Sequence, residues 1–220
     1  MTMPTPPNET LLATVAAPVS TETEVKRSRF LAHLSPVTSV DEATSVIADR
    51  RRSFWDARHH CTALVVGPSG DVQRSSDDGE PAGTAGAPLL DVLRKQHLTD
   101  AVVVVTRYFG GTLLGSGGLI RAYSGAAALA VASAHRVERR YMTRVSVAVP
   151  HAEAGRLVAL LHAWAAQHGA VMGTPHYAEQ AVLRLDVADA ELDLLDADLA
   201  AATGGATLAS RGERRVVDVP

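Results

Sequence analysis

Residues 101–118 read Ala101-Val102-Val103-Val104-Val105-Thr106-Arg107-Tyr108-Phe109-Gly110-Gly111-Thr112-Leu113-Leu114-Gly115-Ser116-Gly117-Gly118, and their reading decides the fold class. Four consecutive valines leave no polar face, so Ala101–Tyr108 is predicted as a central strand covered on both sides. It runs into a glycine loop, after which small residues predict a helix from about Leu119 to Ala134. Strand, glycine loop and helix together can present backbone N–H groups to an anion. Two stricter nucleotide patterns fail. A G-x-G-x-x-G starting at Gly115 meets Ile120 where its last glycine belongs, and a phosphate loop starting at Gly110 meets Ser116 where lysine is required. Two readings remain: the loop holds a phosphate between Arg107 and Arg121, or its glycines only permit tight packing of strand on helix.

Upstream of this stretch, strands are expected at Leu12–Val15 and Ser28–Leu34, and the Ser39/Glu42 spacing has the form of a capping box for a helix from about Val40 to Arg52. Cys61–Val66 reads as a buried strand closed by the turn Gly67-Pro68-Ser69-Gly70. Asp71 to Ala87 shows no helical or strand period, and a loop of that length in a compact domain is functional or disordered. Pro88 suits the start of a helix reaching about His97. Downstream of an Arg136–Arg140 junction, the predicted order is a strand (Tyr141–Val149), a helix (Glu153–Gln167), two strands (Val171–Tyr177 and Ala181–Val187), a helix capped by Asp189 and a final strand from about Ala206 to Val217. This β-α-β-β-α-β order is that of a ferredoxin-like sandwich, which by itself names no function. The domains expected are a flexible leader at 1–10, frayed by Pro4, Pro6 and Pro7, then 11–138 and 141–220.

Composition narrows the function classes. The chain has 220 residues, 46% of them hydrophobic and 20% charged, which excludes disorder as the dominant state. Its net charge of −3 excludes a protein that coats nucleic acid indiscriminately. The charge is uneven: residues 22–140 carry 15 basic and 13 acidic side chains, whereas 141–220 carry 6 and 10. Nineteen of the 21 basic residues are arginine, which a GC-rich coding bias explains as well as any function. A single cysteine, Cys61, rules out an internal disulfide and a CxxC site. No apolar run approaches the ~18 residues of a membrane span, and Leu11–Ala17 lacks a basic leader, so a cytoplasmic location without membrane association is expected.

The chemistry-bearing residues are sparse. His59 and Cys61 share a strand face at a separation of roughly 6.5–7 Å, while His60 points the other way, so neither histidine makes a ready thiolate pair and Cys61 reads as structural. Asp77, Asp78 and Glu80 with His59 and His60 suit oxygen and imidazole metal ligation, but no ligand spacing supports it. Alternatively, these carboxylates and Thr84 hold a rigid turn by accepting loop N–H groups. Arg50-Arg51-Arg52 with Phe54 and Trp55 has the basic and aromatic character of a nucleic-acid contact, or of a solvated helix end.

Four motifs occur together in order: Lys26-Arg27-Ser28-Arg29-Phe30; Asp56-Ala57-Arg58-His59-His60-Cys61; Ser76-Asp77-Asp78-Gly79-Glu80-Pro81-Ala82-Gly83-Thr84-Ala85-Gly86; and Arg107-Tyr108-Phe109-Gly110-Gly111 through Leu114-Gly115-Ser116-Gly117-Gly118-Leu119 to Arg121-Ala122-Tyr123. With these motifs the chain resembles the IMPACT/YigZ family over about residues 10–135. The resemblance implies an α+β protein: an α/β amino-terminal domain of the ribosomal protein S5 domain 2-like type, followed by the ferredoxin-like domain of bacterial members. The pair looks like domains IV and V of elongation factor G. Eukaryotic members regulate translation initiation by competing for a binding partner of a stress kinase, so a link to translation or RNA is what carries over.

The resulting expectation is a non-enzymatic protein that binds RNA or the ribosome, with no catalytic, cofactor or metal residues. Its contact face would comprise Arg58, His59, His60, Asp77, Asp78, Glu80, Thr84, Arg107, Tyr108, Gly110, Gly111, Gly115, Gly117, Gly118 and Arg121. Two alternatives stand beside it. One is a hydrolase of phosphorylated or peptide-like substrates built on His59, His60, Asp77, Asp78 and Glu80. The other is an adaptor for a protein partner in translation control, docking through the acidic second domain.

Overall fold

A computed structural model of the chain describes residues 11–219; the expected leader at 1–10 lies outside them. The described residues form two compact units, one ending at Glu138 and the other beginning at Arg139.

The first unit is built around the valine run. Its elements are β1 (Thr14–Val15), β2 (Val19–Val25), β3 (Ser28–Pro36), α1 (Val40–Ser53), β4 (His59–Val66), β5 (Val72–Ser76), α2 (Gly86–Lys95), β6 (Ala101–Tyr108) and α3 (Ser116–Ser133). β6 is the middle strand of a five-stranded sheet ordered β2-β3-β6-β4-β5, and every pairing in it is antiparallel. The four valines are fully buried because the sheet is covered on both faces. Val103 and Val105 pack with Phe30, Leu34, Ala63 and the buried side of α2 and α3. Val102 and Val104 pack with Leu64, Val66 and Ala43 of α1. Alanines on α3, among them Ala122, Ala126 and Ala130, let that helix lie close to the sheet. Ser39 caps α1, its Oγ accepting from the Glu42 N–H at 3.1 Å, as the capping-box spacing predicts.

Two strands depart from the sequence reading. β2 was not expected, because Val19–Val25 alternates Thr and Glu on a sheet edge that gains little from burial. The segment from Asp71 lacks a period yet contains β5, whose residues are all exposed and which is held by backbone pairing to β4. The true loop is therefore residues 77–85.

The second unit follows the β-α-β-β-α-β order. It comprises β7 (Arg136–Val149) from Arg139 onward, α4 (His151–His168), the short pair β8 (Val171–Met172) and β9 (His176–Tyr177), β10 (Ala181–Val187), α5 (Leu192–Thr203) and β11 (Ala209–Val219). β7 lies between β10 and β11, and β10 also pairs with β8 and β9. Gly169 ends α4 in the left-handed conformation, as its position predicts. Three details differ. Arg136–Arg140 is strand rather than junction, and Arg136 and Val137, which still belong to the first unit, pair with β1. Val171–Tyr177 is broken at Gly173-Thr174-Pro175. Asp189 does not cap the helix: it opens a 3₁₀ turn, and its carboxylate accepts from Thr143 and Arg214. Most acids of this unit are similarly engaged. Arg211 binds Asp193 and Asp196, and Arg215 binds the buried Asp186. Among the described residues no helix is long and apolar enough to cross a membrane.

Candidate functional site

The motif residues of the first unit fall into two groups with opposite character. The first group is the loop 77–85, which is folded inward. Asp77 accepts three backbone N–H groups, from Gly83 (2.9 Å) on one oxygen and from Ala85 (2.9 Å) and Gly86 (2.8 Å) on the other. Burial raises its pKa, but those donors outweigh it and hold the carboxyl below its usual range. Asp77 thereby serves as a cap for the start of α2, which has none from its own N-cap residue Ala85. Asp78, at φ 42°, accepts from the His60 N–H (2.7 Å) and from Arg51 (2.6 Å), and its carbonyl lies 3.0 Å from His59 Nδ1. The Thr84 hydroxyl donates to the Pro81 carbonyl at 2.6 Å.

Glu80 carries the buried charge of this group. One of its oxygens accepts from Arg107 Nη1 at 2.6 Å and from the Tyr123 hydroxyl at 2.7 Å, all three residues being buried. Arg107 also lies over the rings of Phe30 and Phe109, and its Nε has no partner among the described residues. Cys61 donates its thiol hydrogen to the Asp77 carbonyl, and burial pushes its pKa up to about 12, so it is a structural thiol. Burial also raises the Tyr123 phenol, with Cys61 and Glu80 adding to the effect. His60 stands on the opposite sheet face, where Nε2 meets the Phe54 carbonyl at 3.1 Å and burial lowers its pKa. Among the described residues no group of three or more His, Cys, Asp or Glu side chains is arranged to hold a metal.

The second group is the glycine loop and what surrounds it. Gly110 sits against the β2–β3 turn so closely that a Cβ on it would lie 2.0 Å from the Arg27 carbonyl carbon; its N–H donates to Ser28 Oγ. Gly115, at φ 72°, starts α3 without a side-chain cap and without an acid in the first turn, so among the described residues no side chain caps the N–H groups of that turn. Three cations gather there. Lys26 and Arg121 line one small cavity with Gly118 and Leu114. Arg121 Nη1 reaches back to 3.6 Å from the Cβ position of Gly117, and Arg27 donates to Thr112 Oγ1 at 3.2 Å. Phe109 and Leu113 are exposed beside them.

The turn itself is unusual. Val25 pairs with Ser28, leaving a two-residue hairpin loop of Lys26 and Arg27 at φ 48° and 64°. Such loops favour Asn-Gly, because left-handed backbone costs other residues about 1–2 kcal/mol each.

Of the residues expected on one contact face, His59, Asp77, Asp78, Glu80, Thr84 and Arg107 come together but bond among themselves and their neighbours, with Glu80, Thr84 and Arg107 buried and His59, Asp77 and Asp78 partly exposed. Gly110, Gly111, Gly115, Gly117, Gly118 and Arg121 belong to the open group. Arg58 is exposed in the bend just before β4, and the Tyr108 hydroxyl donates to Asp56 at 2.7 Å. Lys26 and Arg27 were not singled out as contact residues. Lys-Arg is no turn signal, although the Val25 and Ser28 flanks are compatible with a hairpin.

A five-stranded antiparallel sheet with one helix on one face and two on the other, carrying a tied-down acidic loop and an open glycine loop, defines an α/β domain joined to a ferredoxin-like partner. The Impact N-terminal domain model matches residues 26–131, which hold both loops. The chain is 42% identical over 136 residues to the IMPACT family member YvyE of Bacillus subtilis, covering 62% of this chain and 63% of that protein. It is 42% identical over 139 residues to an IMPACT family member of Thermus thermophilus, covering 63% and 74%. A crystal structure of a hypothetical protein superimposes with a TM-score of 0.59 at 32% identity, over 93% of this chain and 98% of the other. The chain belongs to the IMPACT family. The match spans between half and two thirds of the length of the relatives from Bacillus subtilis, Escherichia coli and Haemophilus influenzae.

Proposed function

We propose that this chain binds RNA, as free RNA or within the ribosome, through the open group of its first unit, and that this contact serves translation control. Lys26, Arg27 and Arg121 neutralise phosphates, the uncapped start of α3 contributes N–H donors, and exposed Phe109 offers a face for an unstacked base. The observation that carries the reading is the hairpin turn. Two adjacent cations occupy left-handed backbone that Asn-Gly would fill at lower cost, and such strain concentrates where a side chain is needed for contact. Translation control comes from the family resemblance; its cellular site would be the cytoplasm. Arg107 acts by anchoring the 77–85 loop rather than by contacting RNA.

Sedimentation of the full chain with ribosomes and with total RNA, at low and moderate salt, tests the proposal. Co-pelleting that weakens steeply with salt is expected, and the double variant Arg27→Ala/Arg121→Ala should reduce it on all RNA sequences alike. Absence from both pellets at low salt overturns the reading.

A further inference from the structure

The α1 side of the five-stranded sheet is only partly covered. α1 packs on β4 and β6, while the same face over β2 and β3 stays open. Register places Ser20 beside His33 and Leu31 beside Thr106 on this face, where they floor a groove of about 250 Å³ walled by Arg50 and Phe54 at the end of α1. Phe54 is held by its backbone, its N–H donating to the Arg50 carbonyl and its carbonyl facing His60 Nε2, both at 3.1 Å. The Arg50 guanidinium lies 4.7 Å from the Phe54 ring centre.

The charge balance of the groove is uneven. Arg51 is bound to Asp78 and Arg52 to Asp49, but Arg50 is half-buried with no carboxylate among the described residues. Glu22, the acid on the opposite rim, is engaged by Arg29 through two hydrogen bonds. His33 sits 2.8 Å from Ser20 Oγ and is uncharged at neutral pH, because burial and then the Arg50 charge lower its pKa. A partly desolvated cation without a counter-ion calls for an anion, and Leu31 in the floor with the Phe54 wall calls for a flat ring beside that anion.

We infer that this groove binds a nucleotide. Its base lies against the Phe54–Arg50 stack above Leu31, its phosphate meets the Arg50 guanidinium, and Ser20, His33 and Thr106 offer hydrogen-bonding groups to the base edge and ribose. The volume suits one nucleotide rather than a larger ligand. The site lies on the sheet face opposite α3, so it is separate from the RNA contact proposed above. The nucleotide is either free or a residue of an RNA chain.

Amide NMR of the full chain, titrated separately with adenosine monophosphate, hexa-adenylate and ribose 5-phosphate, tests this. Adenosine monophosphate should shift the Leu31, His33, Phe54 and Thr106 amides saturably. Arg50→Ala and Phe54→Leu should each weaken that binding about tenfold, while Arg27→Ala leaves it unchanged. If hexa-adenylate shifts the same amides, the nucleotide belongs to an RNA chain; if only the mononucleotide does, the ligand is free. Both results support the site. Unmoved groove amides with both adenine ligands overturn it, even where hexa-adenylate binds elsewhere and the RNA reading stands. Ribose 5-phosphate binding as well as adenosine monophosphate also overturns it, since a base would then contribute nothing.

Discussion

The loops 77–85 and 109–115 look alike in sequence in being glycine-bearing and aperiodic. In the first, Asp77, Asp78, Glu80 and Thr84 all bond back into the protein. In the second, Gly115 starts a helix with no cap, and among the described residues the adjacent cations meet no carboxylate. The same sequence signal thus marks a fastening in one place and an open surface in the other. What separates them is whether the polar atoms find partners within the fold.

The contrast is most sharply tested at Glu80. Glu80→Ala should cost about 3–5 kcal/mol, because it leaves the buried Arg107 guanidinium without its carboxylate. Native-state hydrogen exchange at the β6 amides reads this unit, and unchanged protection would mean that the acidic loop does not fasten it. Asp77→Ala should cost about 2 kcal/mol on the same measurement through the loss of three N–H acceptors. The open group should respond in the opposite direction. Lys26→Asn/Arg27→Gly relieves the strained turn and should stabilise the unit by about 1 kcal/mol while reducing RNA co-pelleting; a variant that binds as before would remove the turn from the interface. The smallest effect concerns pH. Burial lowers His33 and His60 below the ordinary 6.5, so the fold favours their neutral forms. Their contribution is complete above about pH 6.5 and is lost as pH falls through the lowered values. Melting temperature should therefore drop on acidification from 7 to 5, and less so in His60→Gln.

Elements that bury an apolar face were legible from residues alone: the β6 valines, the α1 capping box and Gly169 at the end of α4. The edge strands β2 and β5 were not, because their stability lies in backbone pairing and their exposed side chains carry little pattern. Nor could the role of Arg107 be read. An arginine beside a glycine loop suggests a phosphate contact, and only the fold brings Glu80, 27 residues upstream, into hydrogen-bond range. The cation cluster stayed hidden for a related reason, since Lys26 and Arg121 meet only once α3 packs against the end of β2.

The contact between Gly110 and the Arg27 carbonyl has a kinetic consequence. With no room for even a methyl group between them, the hairpin turn packs directly on the glycine loop, and the backbone beneath both cations is expected to move little when a partner binds. Binding then needs to quiet only side-chain motion, at about 0.5–1.5 kcal/mol per side chain. Association should accordingly be governed by electrostatic steering, with an on-rate that falls as salt rises and does not wait on rearrangement of the protein.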